Sequence, residues 1–179
     1  LVPDSSVQGV TLDFASDIQQ TRTEWNGATV TWSKGDRMSM GYTLDGEWSA
    51  DLYPSEPLAQ TAAKSIFSVK TDLQADVQGS MSFYGVYPSS SVMPSSAVLP
   101  LVDLAVPALQ VPSAGTFDAS ADIMTARSYL SYRTLPDEPI HMLWERAVAH
   151  VDLTLKSLSV PSGETLQYVT LKASHPITG

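Results

Sequence analysis

The chain has 179 residues, enough for one domain whose core needs no cross-link, since folding at this size buries about 70% of the surface an unfolded chain exposes. Ten Lys and Arg against 19 Asp and Glu give a net charge of −9, which repels phosphate backbones and anionic lipid surfaces and argues against nucleic acid as a partner. There is no cysteine, so disulfides, thiol catalysis and thiolate-held metals are excluded.

Period-two alternation dominates the chain. Val10, Leu12 and Phe14 alternate with Thr11, Asp13 and Ala15, the pattern of a strand with one buried and one solvated face. Residues 15–27 follow as a polar inter-strand loop containing Arg22. Proteolytic nicking concentrates in such loops, which makes Arg22 a candidate processing site. Val30 and Trp32 alternate with Thr31 and Ser33, and Lys34, Gly35 and Asp36 then break the run. Met38 to Tyr42 begins another strand. Asp45-Gly46, set between Tyr42 and Trp48, is a strong two-residue hairpin signal.

Leu58 to Lys64 is expected to form one or two helical turns, and Ala119 to Ala126 another. Ser65 to Lys70, Met81 to Tyr87 and Ile140 to Trp144 read as short strands. Ser89 to Ser96 reads as an exposed loop. Residues 94–115 hold four prolines, which restricts any strand there to an edge or an irregular path. Val151, Leu153 and Leu155 alternate again, as does the stretch from Val169, with turn residues between, so a terminal hairpin is expected. The longest apolar stretch, 97–111, is interrupted by Pro100, Asp103 and Pro107 and falls short of the roughly 20 residues a membrane helix needs. The first residues lack the basic start and apolar run of a secretory signal. An export signal or lipid-bearing cysteine is therefore expected on a longer precursor.

Many short strands with turn chemistry between them predict an all-β fold, a single antiparallel β-sandwich over residues 1–179 with one or two short helical turns. Candidate chemistry is sparse. His141, His150 and His175 match no compact metal-ligand spacing, although His141 and His150 would flank a turn expected near Glu145-Arg146. Asp118 and Asp122 lie four apart, and Asp137-Glu138 precede a proline; nothing in either sequence context marks a desolvated catalytic pair. No nucleophile elbow, phosphate loop, dinucleotide fingerprint or calcium loop is found. The expectation is a non-enzyme with no cofactor and no metal. Trp32 and Trp144 sit in alternating runs and belong to the core. Trp25 and Trp48 lie beside turns and are candidate ligand-contact aromatics.

The order of segments resembles the fimbrillin family of pilus subunits and related surface lipoproteins of Gram-negative anaerobes. The residues that carry the resemblance run in sequence. Gly9 to Phe14 is followed by Thr21-Arg22-Thr23, then by Trp32 leading into Gly35-Asp36. Tyr87-Pro88 precedes the serine-rich loop, Pro107 to Gln110 comes next, and Asp122, Met124 and Ala126 are spaced as in the family pattern. A hydrophobic segment from Ile140 to Leu155 closes the series, over nearly the whole chain. Where the family has a phenylalanine two residues before a histidine, this chain has Trp144-Glu145-Arg146, so no role is carried onto His150.

The resemblance implies a transthyretin-like Greek-key sandwich, the N-terminal one of two domains. It implies export to the outer membrane and the extracellular fimbrium as a lipoprotein, with membrane contact only through a lipid anchor on the precursor. It implies assembly by strand exchange: a protease removes the first strand, and a neighbouring subunit's strand fills the groove. On that mapping Val10, Leu12 and Phe14 are the plug residues and Arg22 marks the processing site. The partners would be other pilus subunits, the processing protease and a host or bacterial surface receptor. The alternative is a surface binding module, a tip adhesin that recognises glycan or protein through Trp25, Trp48 and the Ser89–Ser96 loop.

Overall fold

The computed structural model describes residues 9–17, 31–93, 101–111, 117–148, 159, 161–165, 167 and 169–170. The described strands are β1 (Thr11–Asp17), β2 (Ser39–Leu44), β3 (Glu47–Trp48), β4 (Tyr53–Pro54), β5 (Lys64–Lys70), β6 (Gln78–Tyr87), β7 (Met124–Ser128), β8 (Tyr132–Thr134) and β9 (Ile140–Arg146). Single 3₁₀ turns span Ser89–Ser91 and Ala119–Ala121. The strands hydrogen-bond in the order β3-β2-β6-β7-β9-β1-β5, with β4 also on β2 and β8 also on β6. The fold is all-β, as the alternation predicts.

The sheet curls around one core. Phe14 of β1 and Phe83 of β6, on strands two places apart from being neighbours, meet with ring centroids at 5.5 Å. The short stretch around β4 joins the two ends of the sheet. Met40 pairs with Tyr53 on one side, and Ser55 pairs with Val69 on the other. The amide of Glu56 adds a 2.8 Å bond to the carbonyl of Ser68. Trp32 lies at the centre, 1% exposed, with edge-to-face contacts to Phe67, Tyr87 and Trp144 at centroid distances of 5.1, 4.9 and 5.3 Å. Trp144 is 3% exposed. Both tryptophans are core residues, as their alternation indicates.

The β2–β3 hairpin turns at Asp45 (φ 51°) and Gly46 (φ 91°). Both angles are positive, the geometry that a two-residue turn needs to match the twist of its strands and that Asp-Gly adopts at little cost.

Several expectations are corrected. The pairing is mixed, because β1 runs parallel to β9; these strands are distant in the chain and no hairpin dictates their direction. Leu58 to Lys64 forms no helical turn. The amide of Trp32 bonds the carbonyl of Ala62 at 2.9 Å and the reverse bond is 3.0 Å, so the backbone is satisfied in a bridge, and β5 begins at Lys64. Of Ala119 to Ala126 only the first three residues turn, capped by the Asp118 side chain on the amide of Ser120; β7 starts at Met124. Glu145 and Arg146 do not turn, since β9 continues through Arg146. The expected hairpin after residue 150 lies outside the described residues.

Candidate functional site at the first strand

β1 is an interior strand. It pairs antiparallel with β5 along its full length, from Thr11 opposite Lys70 to Asp17 opposite Lys64. On its other edge Phe14, Ala15 and Ser16 pair in parallel with Ile140, His141 and Met142. Alternation decides which side chains enter the core. Leu12 is 6% exposed and Phe14 fully buried, while Val10 is partly buried and packs on the same cluster. The three predicted plug residues therefore share one face, and that face points inward. On the other face Asp13 accepts a 2.6 Å hydrogen bond from the Ser68 hydroxyl.

The start of β1 is clasped by residues 71–73. The amide of Val10 donates to the Leu73 carbonyl at 3.0 Å. The amide and hydroxyl of Thr71 both donate to the Val10 carbonyl, at 2.9 and 3.2 Å. The approach is so close that a Cβ on Gly9 would fall on the Thr71 carbonyl oxygen, so only glycine fits there. The clasp is anchored from behind, where the Tyr42 hydroxyl donates to Asp72 at 2.6 Å and the Tyr42 ring stacks on Tyr53 with centroids 6.2 Å apart.

Burial alone would raise the Asp72 carboxyl, but hydrogen bonds from Tyr42 and Tyr53 outweigh it and hold its pKa below the ordinary value of 3.8. Burial raises both phenols, and the neighbouring carboxylate raises them further. A depressed carboxylate contributes stability that is complete above its unfolded value and is lost as pH falls through the folded one. Raised phenols contribute stability that is complete below 10.0 and is lost as pH rises through their folded values. The clasp is thus expected to hold across the neutral range, loosen in acid below pH 3.8 and loosen in alkali above pH 10. Hydrogen exchange at the Val10 amide checks this. Protection that stays flat across both limits would contradict the clasp.

The far end of β1 is less well satisfied. Ser16 is 2% exposed, and its hydroxyl has no hydrogen-bond partner among the described residues. A buried hydroxyl in that state costs about 1–3 kcal/mol. β1 is thus held firmly at its start and carries a defect beside the segment that leads to Arg22.

Taking β1 away would strip backbone partners from both β5 and β9 and leave an apolar trench walled by Phe67, Val69, Ile140 and Phe83. Such a trench between two unpaired edges is a template for an incoming strand.

The other predicted residues fall elsewhere. The expected loop over residues 15–27 is corrected at its start, since residues 15–17 pair with β5 and belong to β1, while Arg22 and Trp25, with the rest of that segment, lie outside the described residues. Trp48 pairs with Thr43 at the β3 edge and rests on Tyr84, centroids 4.6 Å apart, on the sheet face away from the core. It is not part of the β1 groove. Tyr84 was legible only through its place between the inward Phe83 and Gly85. The carboxylates weighed as a pair serve separately. Asp118 accepts from the Ser120 hydroxyl and the Val111 amide at 2.7 Å each, hydrogen bonds that lower its pKa. Asp122 is 3% exposed and bonded by both ends of the Arg146 guanidinium, at 2.7 and 3.1 Å. His141 is exposed on β9, and His150 and His175 lie outside the described residues.

Comparison with models of protein families, with characterised proteins and with solved structures returns no match.

Proposed function

We propose that the chain is a structural subunit of a cell-surface fimbria that assembles by donor-strand exchange once β1 has been removed, on a transthyretin-like Greek-key sandwich. One observation carries the reading. β1 fills an interior slot of the sheet with a sealed apolar face, yet it is linked onward through residues 18–30, the polar segment that holds Arg22. A plug of this kind keeps a monomer soluble by covering edges that would otherwise pair with other chains. Cutting the link turns the plug into a separate short strand, which a longer or better-fitting strand can displace. The unpartnered Ser16 hydroxyl supports the exchange, because an incoming strand with an apolar side chain at that position gains what β1 lacks. On this reading the partners are neighbouring subunits, a processing protease and a surface receptor, and the location is the fimbrium at the outer membrane.

The test is limited digestion with a trypsin-like protease, followed by sequencing of the new N-terminus and electrophoresis of unheated samples. A cut within residues 15–25 followed by loss of residues 9–17 and a ladder of multimers is the expected result. A cut chain that stays monomeric and keeps residues 9–17 bound, with added synthetic β1 peptide making no difference, would overturn the reading.

A further inference from the structure

The outer face of the sheet carries a second feature, remote from the β1 groove. Register places Gly41, Tyr84, Arg127 and Leu143 in one row across β2, β6, β7 and β9. The next row holds Val86, Thr125 and Glu145. Trp48 leans on Tyr84 with the ring planes tilted by 43°. A wall stands over these rows, where Val102 and Leu104 line a groove of about 380 Å³. The wall is pinned by the pairing of Leu104 with Val92, by the Met93 amide on the Asp103 carbonyl at 3.0 Å and by the Ala105 amide on the Ser91 carbonyl at 2.9 Å. That volume lies within the range of about 300–1,000 Å³ that small-ligand sites occupy.

The polar groups in the groove are unused. Arg127 and Glu145 stand on adjacent strands in diagonal register, yet their side chains form no ion pair with each other and no hydrogen bond among the described residues. These two exposed side chains of opposite charge offer donors at one position and an acceptor at the other. The aromatic pair adds ring surface at one end, where Tyr84 is 36% exposed. We propose that this groove binds a neutral sugar unit of a glycan. The C–H face of the ring would rest on Trp48 and Tyr84, while Arg127 donates to ring hydroxyls and Glu145 accepts from them. The charges select the class. An anionic ligand would meet Glu145 and a net charge of −9, and a cation would meet Arg127. An added peptide strand needs a sheet edge, and this is a sheet face.

The experiment uses the intact, uncut chain, so its outcome is independent of strand exchange. Maltotriose, cellotriose and N-acetyllactosamine are titrated, with sialyllactose beside them, and followed by saturation-transfer NMR and tryptophan fluorescence. At least one neutral sugar is expected to bind, with Trp48→Ala and Arg127→Gln each weakening it about tenfold or more while the melting temperature holds. Both side chains lie outside the core, and agreement between the two variants guards against a folding artefact in either one. Absence of binding to every neutral sugar at millimolar concentration, binding of sialyllactose alone, or binding indifferent to both substitutions would each overturn the proposal.

Discussion

Replacing Phe14 with alanine is expected to destabilise the domain by about 3–5 kcal/mol, the range for removing a buried aromatic ring when its surroundings relax only in part. The ring is fully buried and meets Phe83 at 66° between planes, and deleting it removes a contact that joins the two sides of the curled sheet. It also removes the most buried side chain of β1. Total stability of a domain is about 5–15 kcal/mol, so the loss is a large fraction of what holds β1 in place. Urea unfolding should show the lower midpoint. Exchange with an added β1 peptide should be faster than in the parent, because the transient release of β1 becomes more frequent. Thr11→Ala, on the solvated face, is the control. A Phe14→Ala midpoint no lower than that of the control would show that the ring does not anchor the strand.

Replacing Arg146 with leucine is expected to cost a similar amount, about 3–5 kcal/mol, because it strands the Asp122 carboxylate in the interior without its guanidinium. The pair is two-pronged and buried, and the guanidinium carbon also lies 5.7 Å from the centroid of the Phe117 ring. Electrostatics predicts an asymmetry. Removing both charges, in Asp122→Leu with Arg146→Leu, should restore much of the loss, since the desolvation cost disappears along with the attraction. A double variant as unstable as the sum of the two singles would show that the groups are not coupled. The pair ties the 3₁₀ turn at Ala119–Ala121 to the end of β9, so the effect should appear as increased hydrogen exchange in both places.

Much of this molecule was legible in the order of its side chains. Alternation in Val10, Leu12 and Phe14, in Met81, Phe83 and Tyr87, and in Ile140, Met142 and Trp144 marked the strands, because a pleated strand with one buried face must repeat every two residues. The Asp45-Gly46 turn was equally plain, since few residue pairs accept two positive φ angles. These are local properties, and each is decided within a few residues. Gly9 was the one local signal that gave no warning, because what it avoids is the Thr71 carbonyl, which is far along the chain.

Partners across the chain were decided by the tertiary structure alone. Whether β1 was an edge or an interior strand, and whether it ran with or against its neighbours, depended on β5 and β9, to which no turn directly joins it. Asp118 and Asp122 looked like a pair by spacing; only the arrival of Arg146 on β9 assigned Asp122 a structural bond. Trp48 was ambiguous because a residue beside a turn can face either side of the sheet, and its contact with Tyr84 came from the β2–β6 register. Period and turn chemistry tell a chain which residues to bury. They do not say against what, because burial is satisfied by any apolar neighbour, whereas register, strand direction and paired charge are set only when the whole sheet closes.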